Sequence, residues 1–297
     1  MNKNELLICT DLDRTLIPNG VEAESANARK LFSYLSSLEQ ITLVYVTGRD
    51  IHLVDKAINT YQLPRSDYVI SDVGASIYRL NNQNIEQSSQ WQYLSQWEEI
   101  YKQSWMGKKG NDLAQLFYSI KDLRRQEYSK QKAYKLSYYL PLYSDHLTII
   151  AKMKEILSQE KIEAEFIWSI DAPNNIGLLD VMPKNATKKN AIEYLMHIAD
   201  FNLENTIFSG DSGNDIDVLL SSIKSTLVAN AHPDIKQQVL TELNNDDHSK
   251  NIYIANGDFL QMNGNYSAGI LEGICHYFPS ILTLLTAQQK RIENDSR

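Results

Sequence analysis

The sequence is poor in cysteine and in basic residues, and it contains no long hydrophobic run. Two of its 297 residues are cysteines, Cys9 and Cys275, so a framework of several disulfides is excluded. Lysine and arginine number 29 against 37 acidic residues, and the net charge of −8 argues against a nucleic-acid-binding or anionic-membrane surface. No apolar stretch reaches the roughly 20 residues of a membrane-spanning helix or forms a signal-peptide core. We therefore expect a cytoplasmic protein without nucleic-acid or membrane partners.

What is present is the composition of a soluble globular protein, with 43% hydrophobic and 22% charged residues. The most informative stretch is the apolar run from Leu6 to Cys9, which ends in two carboxylates. A run without polar residues predicts a fully buried parallel strand, with Cys9 as a small core residue. Asp11 and Asp13 then lie at its carboxyl end, where open α/β sheets bind ligands. An Asp-rich turn without function is the alternative, because such pairs are common by chance.

A second apolar stretch near the other end of the chain also ends in carboxylates. Thr206–Phe208 is followed by a glycine-containing loop with Asp211 and Asp215. Four carboxylates on two strand ends fit a hard cation such as Mg²⁺, which prefers oxygen ligands. Two unrelated solvated turns are the alternative reading.

Two further segments carry groups that bind phosphate. Val44–Val46 predicts a strand that ends in Thr47, Gly48 and Arg49, and a cluster of lysines lies where a helix begins. A hydroxyl, backbone N–H groups and an ammonium are suited to hold phosphoryl oxygens. The lysines that qualify are Lys184, Lys188 and Lys189.

In chain order, the four segments resemble the four motifs of the haloacid dehalogenase-like (HAD) phosphatase superfamily: the first contains Asp11 and Asp13, the second Thr47 to Arg49, the third the lysines, and the fourth Asp211 and Asp215. The resemblance implies an α/β fold: a Rossmann-like core with a parallel sheet and an inserted α+β cap domain. Strands predicted at Ile41–Val46 and Tyr68–Ile70 fit such a core. So do helices predicted from Glu22 to Leu38 and from Asp50 to Asn59, the latter capped by Asp50. A change of character near Asn81 and the return at Pro183 give domains of 1–79 and 184–297 for the core and 80–183 for the cap.

The resemblance also implies a role for each motif residue. Asp11 would attack phosphorus, and Asp13 would be the general acid and base. Mg²⁺ would be bound by Asp11, by the Asp13 carbonyl and by Asp211, with Asp215 as a ligand or a supporting carboxylate. The expected phosphate and sugar contacts come from Thr47, Gly48, Arg49, Lys188 and Asn214. Lys188 is selected because sugar phosphatases of the superfamily carry Pro-x-x-x-x-Lys-Gly at this point; Lys189 replaces the glycine.

Three local stretches favour the sucrose-phosphate phosphatase-like branch over the Cof-type branch: 71–78 (SDVGASIY), 210–215 (GDSGND) and 268–274 (AGILEGI). The branch implies a cytoplasmic enzyme of sucrose biosynthesis that hydrolyses sucrose 6-phosphate or a similar disaccharide phosphate, as a monomer or small homo-oligomer. The alternatives are a broad Cof-type sugar phosphatase, a mannosylfructose- or glucosylglycerate-phosphate phosphatase, a phosphosugar mutase, or a scaffold on a degenerate fold. The last would be expected to lose Asp11 or Asp13, and both are present. Within the cap, Lys135, Tyr138, Trp168 and Asn174 are undecided candidates for sugar contacts.

Overall fold

The first apolar run forms a strand in the interior of the protein, as the sequence predicts. In the computed structural model, which describes residues 6–81, 90–171, 174–245, 251–257 and 259–295, every residue of β1 (Leu6–Thr10) is buried. Leu6 and Ile8 pack into one apolar cluster, and Leu7 and Cys9 pack into another. A strand that is apolar on both faces is covered by helices on both sides of its sheet.

The described residues form twelve strands and ten α-helices. The strands are β1, β2 (Ile41–Val46), β3 (Tyr68–Ser71), β4 (Ser76–Leu80), β5 (Trp91–Tyr93), β6 (Arg124–Arg125), β7 (Leu136–Leu140), β8 (Ala164–Asp171), β9 (Ile176–Pro183), β10 (Thr206–Gly210), β11 (Lys224–Leu227) and β12 (Ile252–Ile254). The helices are α1 (Ala28–Ser36), α2 (Ile51–Tyr61), α3 (Ser95–Tyr101), α4 (Gly110–Leu116), α5 (His146–Gln159), α6 (Lys188–Ile198), α7 (Ile216–Leu219), α8 (Pro233–Asn245), α9 (Ser267–Tyr277) and α10 (Pro279–Asp295). None of these helices is both long enough and apolar enough to cross a lipid bilayer.

Eight of the described strands form one large sheet in the order β12-β11-β10-β1-β2-β3-β4-β5. The six strands from β12 to β3 are parallel, and β4 and β5 run antiparallel to them. The chain leaves β1 toward β2 on one side and returns much later as β10 on the other. The point where the strand order reverses is where open α/β sheets bind their ligands. The predicted α/β class with a parallel-sheet core is confirmed.

Helices cover both faces of this sheet. Buried residues of α1, α2, α9 and α10 belong to the cluster on one face, and those of α3, α6, α7 and α8 belong to the cluster on the other. Cys9 and Cys275 are both buried and unpaired, so the expectation that Cys9 is a core residue is confirmed. Burial raises the pKa of both thiols, which keeps them protonated.

The remaining described strands form a second sheet in the order β6-β7-β9-β8. Its apolar face packs with Trp105, Phe117 and residues of α5 in a cluster of its own. The division of the chain into core and cap stays a prediction, and sheet membership bears on its first boundary. β5 pairs with β4 in the large sheet, and Trp97 and Tyr101 pack into the core of that sheet. These contacts favour a start of the inserted unit after Tyr101 over the predicted start at residue 80, and the boundary stays a prediction; residues 82–89 lie outside the described ranges.

Two helix boundaries show how local residues set the fold. Asp50 caps α2 as predicted, because its Oδ1 accepts from the backbone N–H groups of His52 and Leu53 at 2.9 and 3.0 Å. The prediction of a helix from Glu22 is wrong at its start, since α1 begins at Ala28. Asn27 has a left-handed backbone, with φ of 64°, and a helix cannot run through it.

Candidate active site

The carboxylates of the first and fourth motifs meet at the carboxyl ends of β1 and β10. Asp11 continues the pairing of the two strands, because its N–H donates to the Ser209 carbonyl at 2.9 Å. Carboxylate oxygens of Asp11, Asp211 and Asp215 all lie within 4.8 Å of one another, and all three residues are buried. Thr15, the hydroxyl residue of the first motif, donates to Asp211 Oδ1 at 2.9 Å.

Burial and mutual repulsion make two of these carboxylates, Asp11 and Asp211, hard to ionise. Burial is the largest cause that raises the pKa of Asp11 well above its usual range, and the neighbouring carboxylates raise it further against the opposing effect of Lys188. Burial and Asp215 likewise raise the pKa of Asp211 to about 7. Negative charge is therefore in excess here over the cations that the chain supplies.

This charge excess provides a test of whether the residues fit a divalent cation. Asp11 and Asp211 offer buried carboxylate oxygens of the kind that Mg²⁺ prefers, and a double positive charge beside them would return both to their ionised forms. The donor set therefore fits Mg²⁺. Asp13 also lies next to this site, on the turn that follows Asp11.

The structure brings one of the three candidate lysines into the cluster. Lys188 is fully buried at the first turn of α6, and its Nζ lies 2.7 Å from Asp215 Oδ1 and 3.4 Å from Asp11 Oδ1. Burial lowers its pKa, but the two carboxylates outweigh burial and raise it, so the ammonium stays charged. Lys184 pairs with Glu163 and Lys189 with Glu193 instead.

Asp215 binds to the protein with both of its carboxylate oxygens. Oδ1 accepts from Lys188, and Oδ2 accepts from the N–H groups of Asp211 and Ser212 at 3.1 and 3.0 Å. Asn214 accepts from Lys188 as well, at 2.8 Å. These contacts fit the supporting role among the two that the sequence leaves open for Asp215, because its lone pairs already have partners.

Asp13 is bound by Arg49 and Asn19. Arg49 donates from Nε to Oδ2 at 2.7 Å and from Nη2 to Oδ1 at 2.6 Å, which is a bidentate pair. Asn19 Nδ2 donates to Oδ1 at 2.7 Å. Burial raises the pKa of Asp13, but these hydrogen bonds outweigh burial and lower it. Arg49 thus contacts the candidate acid and base, and whether it also binds phosphate stays a prediction.

Thr47 and Gly48 form the end of β2 beside these groups. Thr47 Oγ1 accepts from the Arg49 N–H at 3.2 Å, which leaves its own proton to be donated to a ligand. A Cβ placed on Gly48 would lie 4.0 Å from Asn214 Nδ2, so the second and fourth motifs face each other. The turn 72–74 packs behind them, with the Val73 N–H donating to the Thr47 carbonyl at 3.0 Å. Val73 has a φ of 63°, a strained conformation for a β-branched residue.

The second sheet contacts the site through β8. A Cβ on Gly213 would lie 2.7 Å from the Trp168 carbonyl oxygen of β8, so the cap strand rests on the loop of the fourth motif. Lys132 lies 3.9 Å from Asp72 across the same boundary. Trp168 stacks on His146 with ring centres 4.4 Å apart, and Tyr138 is buried against Phe117, so both rings pack within the cap. Lys135 is also buried and lies 3.6 Å from Asp180.

Sequence reasoning missed Asn19 and the pairing of Arg49 with Asp13. Asn19 lies six residues beyond Asp13 on an irregular loop, and no spacing rule points to it. The Arg49 contact joins two motifs whose side-chain directions a sequence pattern does not specify.

The fold and the site together define a HAD-like phosphatase. The parallel sheet has the strand order of that class, and four carboxylates and a buried lysine lie where the strand order reverses. A second sheet contacts the loop that carries two of these carboxylates. Such enzymes hydrolyse phosphoric monoesters. Residues 4–278 match the sucrose-6F-phosphate phosphohydrolase family, and the chain belongs to that family.

Individual relatives agree with this assignment. A HAD-like hydrolase of Nitrosococcus oceani is 44% identical over 277 residues, which cover 93% of this chain and 73% of the relative. The mannosylfructose-phosphate phosphatase of Agrobacterium fabrum is 25% identical over 273 residues, or 91% of this chain and 96% of that protein. The sucrose-phosphatase of Synechocystis sp. PCC6803, solved with sucrose and phosphate, superposes with a TM-score of 0.72 at 25% identity and covers 92% of this chain and 98% of its own.

Proposed function

We propose that this protein is a Mg²⁺-dependent phosphatase that hydrolyses sucrose 6-phosphate or a similar disaccharide phosphate in the cytoplasm. The observation that carries the proposal is the convergence of Asp11, Asp13, Asp211 and Lys188 at one end of β1 and β10. The match to the sucrose-6F-phosphate phosphohydrolase family supports the choice of sugar.

Asp11 acts as the nucleophile in this account. One of its carboxylate oxygens attacks phosphorus, the bond from phosphorus to the sugar oxygen breaks, and Asp13 gives its proton to that oxygen. Water then attacks the phosphorus of the aspartyl-phosphate and transfers a proton to Asp13. Phosphate leaves, and the Asp11 carboxylate is restored.

Mg²⁺, held by Asp11, Asp211 and the Asp13 carbonyl, would offset the repulsion between the phosphate dianion and the attacking carboxylate. Lys188 supplies a fixed positive charge beside Asp11, and Asp215 holds that lysine in place. Thr47, Gly48 and Asn214 bind phosphate or sugar oxygens from the facing side.

The contact of Asp13 with Arg49 suits one half of this cycle. The bidentate pair keeps Asp13 in its anionic form, which is the form that takes a proton from water. The first half needs the protonated form, so the pair has to loosen when substrate is bound.

Phosphate release from a panel of substrates tests the proposal. The panel contains sucrose 6-phosphate, mannosylfructose phosphate, glucosylglycerate phosphate, trehalose 6-phosphate and hexose phosphates, each with Mg²⁺ and with EDTA. Mg²⁺-dependent release that favours one disaccharide phosphate is the expected result. Equal release from all substrates would favour the Cof-type generalist. A phosphorylated product that stays bound or isomerises would indicate a mutase. No release from any substrate would contradict the proposal that the protein is a phosphatase.

A further inference from the structure

Arg14 links the candidate metal site to polar side chains that the proposed reaction does not use. Its Nε lies 3.5 Å from Asp211 Oδ2. Its Nη2 donates to Glu22 Oε1 and to the Asn230 carbonyl, both at 3.0 Å. We refer to Arg14, Gly20, Glu22, Asn230 and Tyr266 as the Arg14 cluster.

The Arg14 cluster holds the guanidinium in one place. The Tyr266 hydroxyl donates to Glu22 Oε2 at 3.0 Å, and Asn230 Nδ2 donates to the Arg14 carbonyl at 2.6 Å. A Cβ on Gly20 would lie 2.5 Å from Arg14 Nη1 and from Glu22 Oε2, so this ion pair packs directly against the backbone of Gly20. The pair is therefore built into the loop that follows the first motif.

The charge of Arg14 would oppose a metal ion at Asp211. A guanidinium 3.5 Å from Asp211 competes with a divalent cation for the charge of that carboxylate, and it also repels the cation directly. Arg14 is not needed to orient Asp211, because Thr15 already donates to its Oδ1 at 2.9 Å. Glu22, at 3.0 Å from the same guanidinium, compensates the charge.

We propose that Glu22 sets the affinity of the site for Mg²⁺ without contacting the ion, by neutralising Arg14. Glu22 is thus a positioning residue: it acts on the charge near Asp211 only through Arg14. This inference rests on the Mg²⁺ site of the proposed function.

Calorimetric titration of Mg²⁺ into the metal-free protein tests the inference without an activity assay. E22Q leaves Arg14 uncompensated and is expected to bind Mg²⁺ about tenfold more weakly, as is typical when a partner outside the ligand shell is lost. E22D keeps the charge and is expected to bind within about threefold of the wild type. E24Q is the matched control, since Glu24 pairs with Arg29 at 2.6 Å and its loss removes the same charge two residues away.

The double variant R14Q/E22Q separates charge from structure. It removes the guanidinium together with its counter-charge, so its Mg²⁺ affinity is expected to return to within about threefold of the wild type. A structural role for the Arg14 cluster would make the double variant at least as weak as E22Q, because more contacts are lost. Thermal unfolding of each variant shows that the protein titrated is folded.

Three outcomes would overturn the inference. If E22Q binds Mg²⁺ like the wild type, or if R14Q/E22Q binds no more tightly than E22Q, the charge of Glu22 does not set the affinity, and the proposed function stands. If the wild type does not bind Mg²⁺, both the metal site and the inference fail.

Discussion

Asp11 and Asp211, at the centre of the site, are unstable as charged groups without a cation. The pKa of Asp211 is raised to about 7 and that of Asp11 well above its usual range, chiefly by burial. A carboxyl group with a raised pKa binds its proton more tightly in the folded state than in the unfolded state. Its contribution to stability is therefore greatest below the unfolded pKa, near 4, and falls as pH rises toward the folded value.

Because the contribution of these carboxyl groups to stability falls as pH rises, we predict that Mg²⁺ stabilises the protein more at alkaline than at acid pH. Near pH 5 the ion must displace protons from Asp11 and Asp211, whereas near pH 8 it replaces repulsion between ionised groups. The rise in Tm from EDTA to saturating Mg²⁺ should be at least about 2 °C larger near pH 8 than near pH 5. Equal stabilisation at both pH values would argue against a metal at these carboxylates.

Arg49 acts through Asp13 in the geometry seen here, by favouring the anion that takes a proton from water. We predict that Arg49→Lys, which loses the bidentate contact, lowers steady-state kcat about tenfold or more, because hydrolysis of the aspartyl-phosphate slows. With 4-nitrophenyl phosphate, whose leaving group needs no proton, the first turnover measured by rapid mixing should slow less than about threefold. Equal losses in the first turnover and in steady state would mean that Arg49 serves the phosphoryl group, as the resemblance implied.

At the scale of elements, the residues of the site were easier to predict than their orientations. Apolar runs such as Leu6–Cys9 end at one edge of a parallel sheet, so Asp11 and Asp211 had to lie near each other. The sequence pattern does not specify contacts between loops, such as those of Asn19 or Arg14. The start of α1 was missed for a similar reason, because the left-handed backbone of Asn27 has no counterpart in hydrophobic periodicity.

The 268–274 stretch shows that a family resemblance can report structure instead of chemistry. Glu272 of α9 is buried and accepts from the N–H groups of Asn256 and Gly257 at 2.9 and 3.1 Å, and from the Tyr253 hydroxyl at 2.7 Å. It fixes the turn after β12 and does not contact the carboxylate cluster.

β8 contacts the loop of the fourth motif at Gly213, and this contact leads to a prediction. The atoms nearest to an added Cβ are cap backbone atoms, with the Trp168 carbonyl at 2.7 Å, so Gly213→Ala must displace the cap strand. We expect kcat/KM for a disaccharide phosphate to fall about tenfold, while 4-nitrophenyl phosphate, which needs no sugar contact, loses less. Steady-state kinetics with both substrates check this, and an equal loss would place the damage in the Asp211 loop itself.

At the scale of the whole molecule, the α/β core and its phosphatase class could be predicted because four motifs occur in order along the chain. The boundary of the cap was harder to predict, since β5 and α3 lack the long apolar runs of the core strands, yet β5 belongs to the large sheet and α3 packs against it. The sugar contacts could not be predicted from residue type. Tyr138 and Trp168 are residues of the kind that bind sugars, but their rings pack against Phe117 and His146 within the cap.

A cap of this size predicts a specialist enzyme. Closure over a large substrate lets binding energy from the second sugar align the phosphate, so a substrate without that sugar loses rate as well as affinity. We expect kcat/KM for the preferred disaccharide phosphate to exceed that for glucose 6-phosphate by at least about a hundredfold, or roughly 2.7 kcal/mol. Equal values for the two substrates would favour a generalist.

The measurement that tests the central claim most directly is phosphate release by Asp11→Asn in saturating Mg²⁺. An amide is a poor nucleophile and a weaker metal ligand, so kcat for a sugar phosphate should fall at least about a thousandfold, while Tm stays within a few degrees of the wild type. Asp67→Asn is the control. Asp67 precedes β3, so it lies at the amino ends of the parallel strands, away from the site, and this variant should keep its activity. Activity of a folded Asp11→Asn protein within tenfold of the wild type would contradict the account.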